Sequence, residues 1–175
     1  QQGRIDDAIR LAKRAVEAEP TDLARRALCG RALLEAGQAA AALDELGQAA
    51  GIVLRKGAPP NQNTGSSFYF APARLLMGRY YFEQGDWVSA VKNFELARAY
   101  VDLSDAAYAE FHPVLYGAYA KRSRWARALE FGKPDEAALA DLPDAGLVQL
   151  GRALEGRGEW DSLSTVVAAL RDRGK

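Results

Sequence analysis

A regular internal repeat constrains the fold of this sequence more than any other feature. Gly3 and Gly37 mark one period of it, and alanines follow them at the spacing of one helix face, with Ala8 after the first glycine and Ala42 after the second. Periods of roughly 20 to 50 residues are typical of chains built from supersecondary units that stack in series. Alanine and leucine dominate the hydrophobic residues, and β-branched residues are sparse, which favours helices over strands. The sequence therefore predicts an all-α protein made of repeated helix pairs.

The third repeat of this series shows the pattern most completely. It pairs a first helix with a second helix around a turn glycine, and its defining residues are Met77, Gly78, Tyr81, Gly85, Trp87, Ala90, Phe94 and Ala97. This order of small and large side chains resembles the tetratricopeptide repeat. The second repeat resembles it at Cys29, Gly30, Leu33, Gly37, Ala42, Leu46 and Ala49. The resemblance implies a right-handed α-solenoid of helix-turn-helix repeats. In it, small residues such as Gly30, Gly78 and Gly151 let the helix axes approach closely, while large ones such as Leu46 and Phe94 fill the space between.

The resemblance covers residues 1–175 as one solenoid. Its predicted parts are the second helix of a truncated repeat over 1–22, a repeat over 23–56, an inserted loop over 57–70, a repeat over 71–103, a degenerate repeat over 104–142, and a terminal repeat with its cap over 143–175. Because the first repeat starts at its turn, we expect the sequence to be the C-terminal part of a longer array.

The fourth repeat departs from the pattern at several places. Ser123 replaces the turn glycine, and Gly132 and Pro134 are strong helix stops that shorten the second helix. Pro113 lies inside the predicted first helix, where it predicts a kink or a late helix start. In the third and fifth repeats, an acidic residue precedes Trp87 and Trp160 at the start of the next helix, and we expect each tryptophan to cover the turn.

The resemblance implies that a partner binds along the concave face lined by the first helices. An arginine recurs there with a glutamate three or four residues later, as in Arg31 with Glu35 and Arg79 with Glu83. Arginine presents a planar fork of donors suited to carboxylates and carbonyls. The alternative is that each arginine only pairs with its own glutamate. The predicted partner-binding residues are Arg31, Leu34, Glu35, Phe68, Tyr69, Phe70, Leu75, Arg79, Phe82, Glu83 and Arg152.

The insertion before the third repeat ends on three consecutive aromatic residues, Phe68, Tyr69 and Phe70. Three consecutive side chains cannot all face one side of a helix, so at least one is expected at the surface or over the rim of the groove. Aromatic residues are favoured anchors of interfaces. Filling the gap that the inserted loop opens is the alternative role.

Composition excludes several functions. The 23 lysines and arginines balance the 23 aspartates and glutamates, so no net charge draws the chain to nucleic acid or to an anionic membrane. A single cysteine, Cys29, and a single histidine, His112, argue against a disulfide, a metal site or any other cofactor. No apolar run is long enough for membrane insertion, and no phosphate-binding loop or catalytic motif is present, so we predict that the chain is not an enzyme.

These features predict an adaptor or scaffold module that binds another protein or a peptide, within a larger bacterial protein in the cytoplasm. A set of groove residues that clamps a terminal carboxylate in chaperone-binding members of the family is replaced here by Ala27, Leu76 and Glu110, which argues against that partner. The alternatives are an assembly factor for a pilus or secretion machine in the periplasm, a regulatory domain of a larger enzyme, and self-association through the ends of the solenoid.

Overall fold

The computed structural model describes residues 2–51 and 70–174, and these residues form helices and turns without any strand. The helices are α1 (Gln2–Ala18), α2 (Leu23–Glu35), α3 (Ala39–Ala49), α4 (Phe70–Glu83), α5 (Trp87–Arg98), α6 (His112–Lys121), α7 (Trp125–Ala128), α8 (Glu136–Asp141), α9 (Asp144–Arg157) and α10 (Trp160–Asp172), with a 3-10 helix over Ala106–Phe111 before α6. The all-α prediction is confirmed. No helix within 2–51 or 70–174 has the length and apolar character needed to cross a bilayer.

The chain divides into two compact units, Gln1–Leu103 and Ser104–Lys175, here called the first unit and the second unit. In the first unit, α1 to α5 pack in series, each helix against the next. Cys29 lies in the apolar core with no exposed surface, and burial raises the pKa of its thiol, so it serves as a packing residue.

One turn geometry joins the first and second helices of the second to fifth repeats. A residue one or two positions after the end of the first helix adopts a left-handed conformation, with φ of 73° at Gly37, 76° at Gly85, 54° at Ser123 and 69° at Gly158. The next backbone N–H then donates to a carbonyl one turn back, as from Arg124 to Tyr119 at 2.9 Å. Ser123 thus occupies the turn-glycine position, as predicted, but without the conformational freedom of glycine.

The turn of the fourth repeat should therefore become more stable with glycine. A left-handed backbone conformation costs a residue with a side chain about 1–2 kcal/mol, and glycine avoids this cost. Glycine also gives the unfolded chain more backbone entropy, which offsets part of the gain. We expect Ser123→Gly to raise the free energy of unfolding by about 0.5–1 kcal/mol, measured by urea denaturation.

Ser162→Gly, inside α10, is the matched control. It should lower the free energy of unfolding by about 0.5 kcal/mol, since glycine is a poor helix former. A loss of stability in Ser123→Gly as well would contradict this account of the turn.

Glycines hold the first and second helices of the first unit close together. A Cβ added at Gly30 would lie 2.5 Å from Leu46 Cγ, and one added at Gly78 would overlap the ring of Phe94. Both opposing side chains are fully buried. In the second unit, a Cβ at Gly151 would meet Leu163 Cδ1 at 3.4 Å, an ordinary contact. The predicted packing of small against large side chains is confirmed at Gly30 and Gly78 and is looser at Gly151.

This difference predicts opposite outcomes for one substitution. Gly78→Ala should lower the free energy of unfolding by about 1–3 kcal/mol, because the buried Phe94 ring would have to move. Gly151→Ala should be neutral or raise stability by up to about 1 kcal/mol, because alanine favours the helix and its methyl group has room. Thermal and urea unfolding of both variants measure these values. Equal effects at both sites would contradict the packing described here.

The second unit contains the irregular elements that the sequence indicated. A 3-10 helix replaces the start of the expected first helix, and the α-helix begins at His112 with Pro113 in its first turn, which confirms the late start. The second helix of the fourth repeat, α7, has only 4 residues. Its early end agrees with the predicted stop signals at Gly132 and Pro134.

The acidic residues before the two tryptophans behave differently. Asp86 caps α5, accepting a hydrogen bond from the Ser89 N–H at 3.0 Å, and bonds from the Ser89 hydroxyl and N–H lower the pKa of its carboxyl. Glu159 makes no such cap. Hydrogen bonds from Arg157 and Lys133 instead lower the pKa of its carboxyl. Trp87 and Trp160 are 38% and 63% exposed, so both indoles lie on the surface rather than in the core.

Candidate functional site

Six of the predicted partner-binding residues lie at equivalent places on two neighbouring first helices. We call this set the paired-arginine surface: Arg31, Leu34 and Glu35 on α2, and Arg79, Phe82 and Glu83 on α4. Along the chain, one repeat period and the predicted insertion over 57–70 separate the two halves. The helices α2 and α4 contact each other within the first unit. The fold therefore brings the two copies of the motif side by side.

Each half of the surface contains an ion pair within one helix. Arg31 Nε lies 3.2 Å from Glu35 Oε1, and Arg79 Nε lies 3.9 Å from Glu83 Oε1. The glutamate side chains are 54% and 59% exposed. Each arginine thus pairs with its own glutamate, as the alternative interpretation of the sequence expects, and the arginine side chains are 42% and 24% exposed.

These ion pairs contribute little to the stability of their helices. Each glutamate is the last residue of its helix, where the negative end of the helix dipole disfavours a carboxylate. In both pairs the arginine comes before the glutamate. This order stabilises a helix less than an acidic residue placed before a basic one. Exposed pairs of this kind are worth roughly a few tenths of a kcal/mol. A partner could therefore exchange these contacts for its own at small cost.

The other predicted site residues are placed differently. Leu75 has no exposed surface, so its side chain supports α4 from within the core. Phe68 and Tyr69 lie outside the described residues, and Phe70 is described only as the first residue of α4. Arg152 is exposed on α9 of the second unit, and the described part of the chain offers it no ion pair.

A second set of arginines, which the sequence analysis missed, points inward. Arg26 Nη1 lies 2.8 Å from Glu45 Oε2, and Arg74 Nη1 donates to Asn93 Oδ1 at 3.0 Å. In both cases a first-helix arginine reaches across to the second helix of its own repeat, 19 residues later. The side chains of Arg26 and Glu45 are 16% and 22% exposed. The sequence signal was available, because Arg26 and Arg74 occupy equivalent positions of the second and third repeats.

The equivalent positions of the later repeats hold other residue types at the same separation. In the fourth repeat they are His112, the first residue of α6, and Phe131, which follows the end of α7, and their rings lie 5.5 Å apart. In the fifth they are Leu147 on α9 and Val166 on α10, both buried. The position is therefore polar in the first unit, aromatic in the fourth repeat and aliphatic in the fifth.

The second unit contains a cavity of about 560 Å³, here called the second-unit cavity. It is bounded by α6, the start of α7, the end of α8 and the first turns of α9. Its lining includes Tyr116, Ala120, Trp125, Leu142, Ala145 and Gln149. Burial, with a smaller contribution from the charge of Asp135, raises the pKa of the Tyr116 phenol to about 12. Sequence patterns did not indicate this cavity, because it depends on where the short α7 leaves space.

Metal-binding chemistry has no candidate in the described part of the chain. No group of three or more histidine, cysteine, aspartate or glutamate side chains could hold an ion there. The contacts described above suit recognition by hydrogen bonds, ion pairs and apolar packing.

The two sets of arginines predict different coupling energies. In a double-mutant cycle of Arg26→Ala and Glu45→Ala, we expect about 1–2 kcal/mol of coupling, because both groups are largely shielded from water. The cycle of Arg31→Ala and Glu35→Ala should give about 0.3 kcal/mol. Urea unfolding of the wild type and the single and double variants measures both, and roughly 1 M salt should remove the smaller coupling. A larger coupling for the exposed pair would contradict the distinction.

Comparison with known proteins agrees with the repeat pattern. Residues 1–52 match a family model described as tetratricopeptide repeat, and this stretch contains α1, α2 and α3. A search of curated proteins gave no match to the chain. The paired helices, the left-handed turns and the close approach at Gly30 are the structural counterpart of the family match. Within residues 1–52 the chain therefore contains tetratricopeptide-repeat sequence.

Proposed function

We propose that the chain is an adaptor that binds a segment of another protein along the paired-arginine surface of the first unit. Tetratricopeptide repeats are associated with protein partners, which supports this class of function. The observation that carries the proposal is the repetition of one partly exposed motif, arginine, apolar residue and glutamate, on the adjacent helices α2 and α4.

The chemistry of this surface suits an extended segment with both backbone and side-chain contacts. Arg31 and Arg79 provide donors for carboxylates or backbone carbonyls, while Glu35 and Glu83 accept from backbone N–H groups or basic side chains. Leu34 and Phe82 are half-buried beside them, so each leaves part of an apolar side chain for contact. A ligand that spans both helices would meet the same set of groups twice.

The contrast with the inner arginines strengthens this proposal. Arg26 and Arg74 are engaged between helices, where their removal would disturb the fold. Arg31 and Arg79 instead form weak pairs near the ends of their helices. Their removal should therefore affect recognition more than stability.

Reversal of the two surface arginines tests the proposal. Peptides that bind the wild-type chain are selected from a displayed random library, and their dissociation constants are measured by fluorescence anisotropy. We expect the double variant Arg31→Glu, Arg79→Glu to bind the selected peptides about tenfold more weakly or worse, since two charge-assisted hydrogen bonds are lost. Its melting temperature should fall by only a few degrees.

The matched control is Arg4→Glu with Arg14→Glu, two exposed arginines of α1 that give the same change in net charge. It should bind as the wild type does. A second variant, Arg79→Ala with Phe82→Ala, removes one half of the surface and should also weaken binding about tenfold or more. Equal weakening by the α1 control, or unchanged binding by both surface variants, would show that the ligand binds elsewhere.

A further inference from the structure

The second-unit cavity has the size and the chemistry of a binding site that the proposed function does not use. Its volume of about 560 Å³ lies within the range of roughly 300–1,000 Å³ typical of ligand pockets. It exists because α7 ends after 4 residues and the chain then turns away through Gly132 and Pro134. The end of α8 and the Leu142–Pro143 segment form another wall instead of filling the space.

The wall of this cavity is mainly apolar. It is formed by the ring of Tyr116, by Leu142 and by small side chains such as Ala120 and Ala145. Apolar side chains that enter such a space lose their contact with water, which is the main source of binding free energy. The small residues leave room for one large side chain and the adjoining backbone.

One polar side chain lies at the edge of this apolar wall. Gln149 lines the cavity from an exposed position, and the described residues give its carboxamide no hydrogen bond. Trp125 also lines the cavity, but the residue is 5% exposed and its indole N–H is shielded, so a ligand would meet the indole ring and not the N–H. A carboxamide both donates and accepts hydrogen bonds, which matches the amide groups of a peptide backbone.

We propose that the second-unit cavity receives a large apolar side chain of an extended peptide, which packs against the ring of Trp125, with Gln149 bonding the peptide backbone. The inference rests on the proposed function and deepens it, because it assigns the second unit an anchor for an apolar residue of the partner. The charged residues Lys121 and Asp141 also line the cavity, with opposite signs, so neither a cationic nor an anionic ligand is favoured as a class.

A titration with small capped amino acids tests this inference on the full chain. The probe is N-acetyl-phenylalaninamide, followed by the backbone amide resonances of Gly117, Ala145 and Gln149. We expect saturable shifts at these three residues at millimolar probe concentration. N-acetyl-glycinamide, which lacks the side chain, should give no saturable shift, and toluene, which lacks the amides, should bind at least about fivefold more weakly.

Two variants show whether the probe occupies the cavity itself. Ala145→Phe should abolish the saturable shifts by filling the space, whereas Ala168→Phe, on the exposed side of α10, should leave them unchanged. Gln149→Ala should weaken binding roughly fivefold, the effect of one lost hydrogen bond. Absence of saturable shifts in the wild type, persistence of binding in Ala145→Phe, or equal affinity for toluene would each overturn the proposal.

The outcome can be separated from a failure of the proposed function. The Arg31→Glu, Arg79→Glu variant alters only the first unit and should bind N-acetyl-phenylalaninamide like the wild type. Binding of this probe by that variant, together with unchanged binding of the selected peptides, would reject the paired-arginine surface and leave the cavity site standing.

Discussion

The close approach of each first helix to its second helix is the constraint on which the first unit depends. At Gly30 and Gly78 the first helix has no side chain, and the buried Leu46 and Phe94 occupy the space that a side chain would need. A helix pair packed in this way buries the apolar stripe of both helices, which neither can do alone. The left-handed turn residue allows the chain to reverse directly between the helices. Local turn chemistry and close packing therefore act together in each repeat.

The interhelical residue pair that recurs at one fixed separation adjusts this common geometry. In the first unit it is an arginine with glutamate or asparagine, and the hydrogen bonds fix one rotation of the first helix on the second. In the second unit the equivalent positions hold His112 and Phe131, which lies after the end of α7, and then the buried Leu147 and Val166. Apolar contacts are less directional than hydrogen bonds. This agrees with the tighter helix contact at Gly78 and the looser one at Gly151.

Much of the fold could be predicted from the sequence, because its signals are local and periodic. The turn glycines, the replacement at Ser123 and the late helix start at Pro113 follow from backbone preferences of single residues. Periodicity also placed Leu75 on the binding face. It predicts the direction of a side chain around the helix axis, but not how deeply that side chain is buried. The helices α2, α3 and α5 all contact α4, and Leu75 is fully buried. The second-unit cavity was missed for a similar reason, since it arises from the packing of α8 and the segment after it, which no local pattern specifies.

The two sets of arginines show why residue type alone does not identify a binding surface. Arg26 and Arg31 lie five positions apart on α2, so they point in different directions around the helix axis. The first meets the second helix of its repeat and is shielded from water, while the second meets a glutamate at the end of its own helix and stays partly exposed. Removing one partner of the shielded pair leaves the other charge unpaired and away from water, whereas breaking the exposed pair returns both charges to water. Only the exposed pair can therefore change partners without loss of the fold, and its repetition on α4 makes the surface, rather than a single arginine, the unit of recognition.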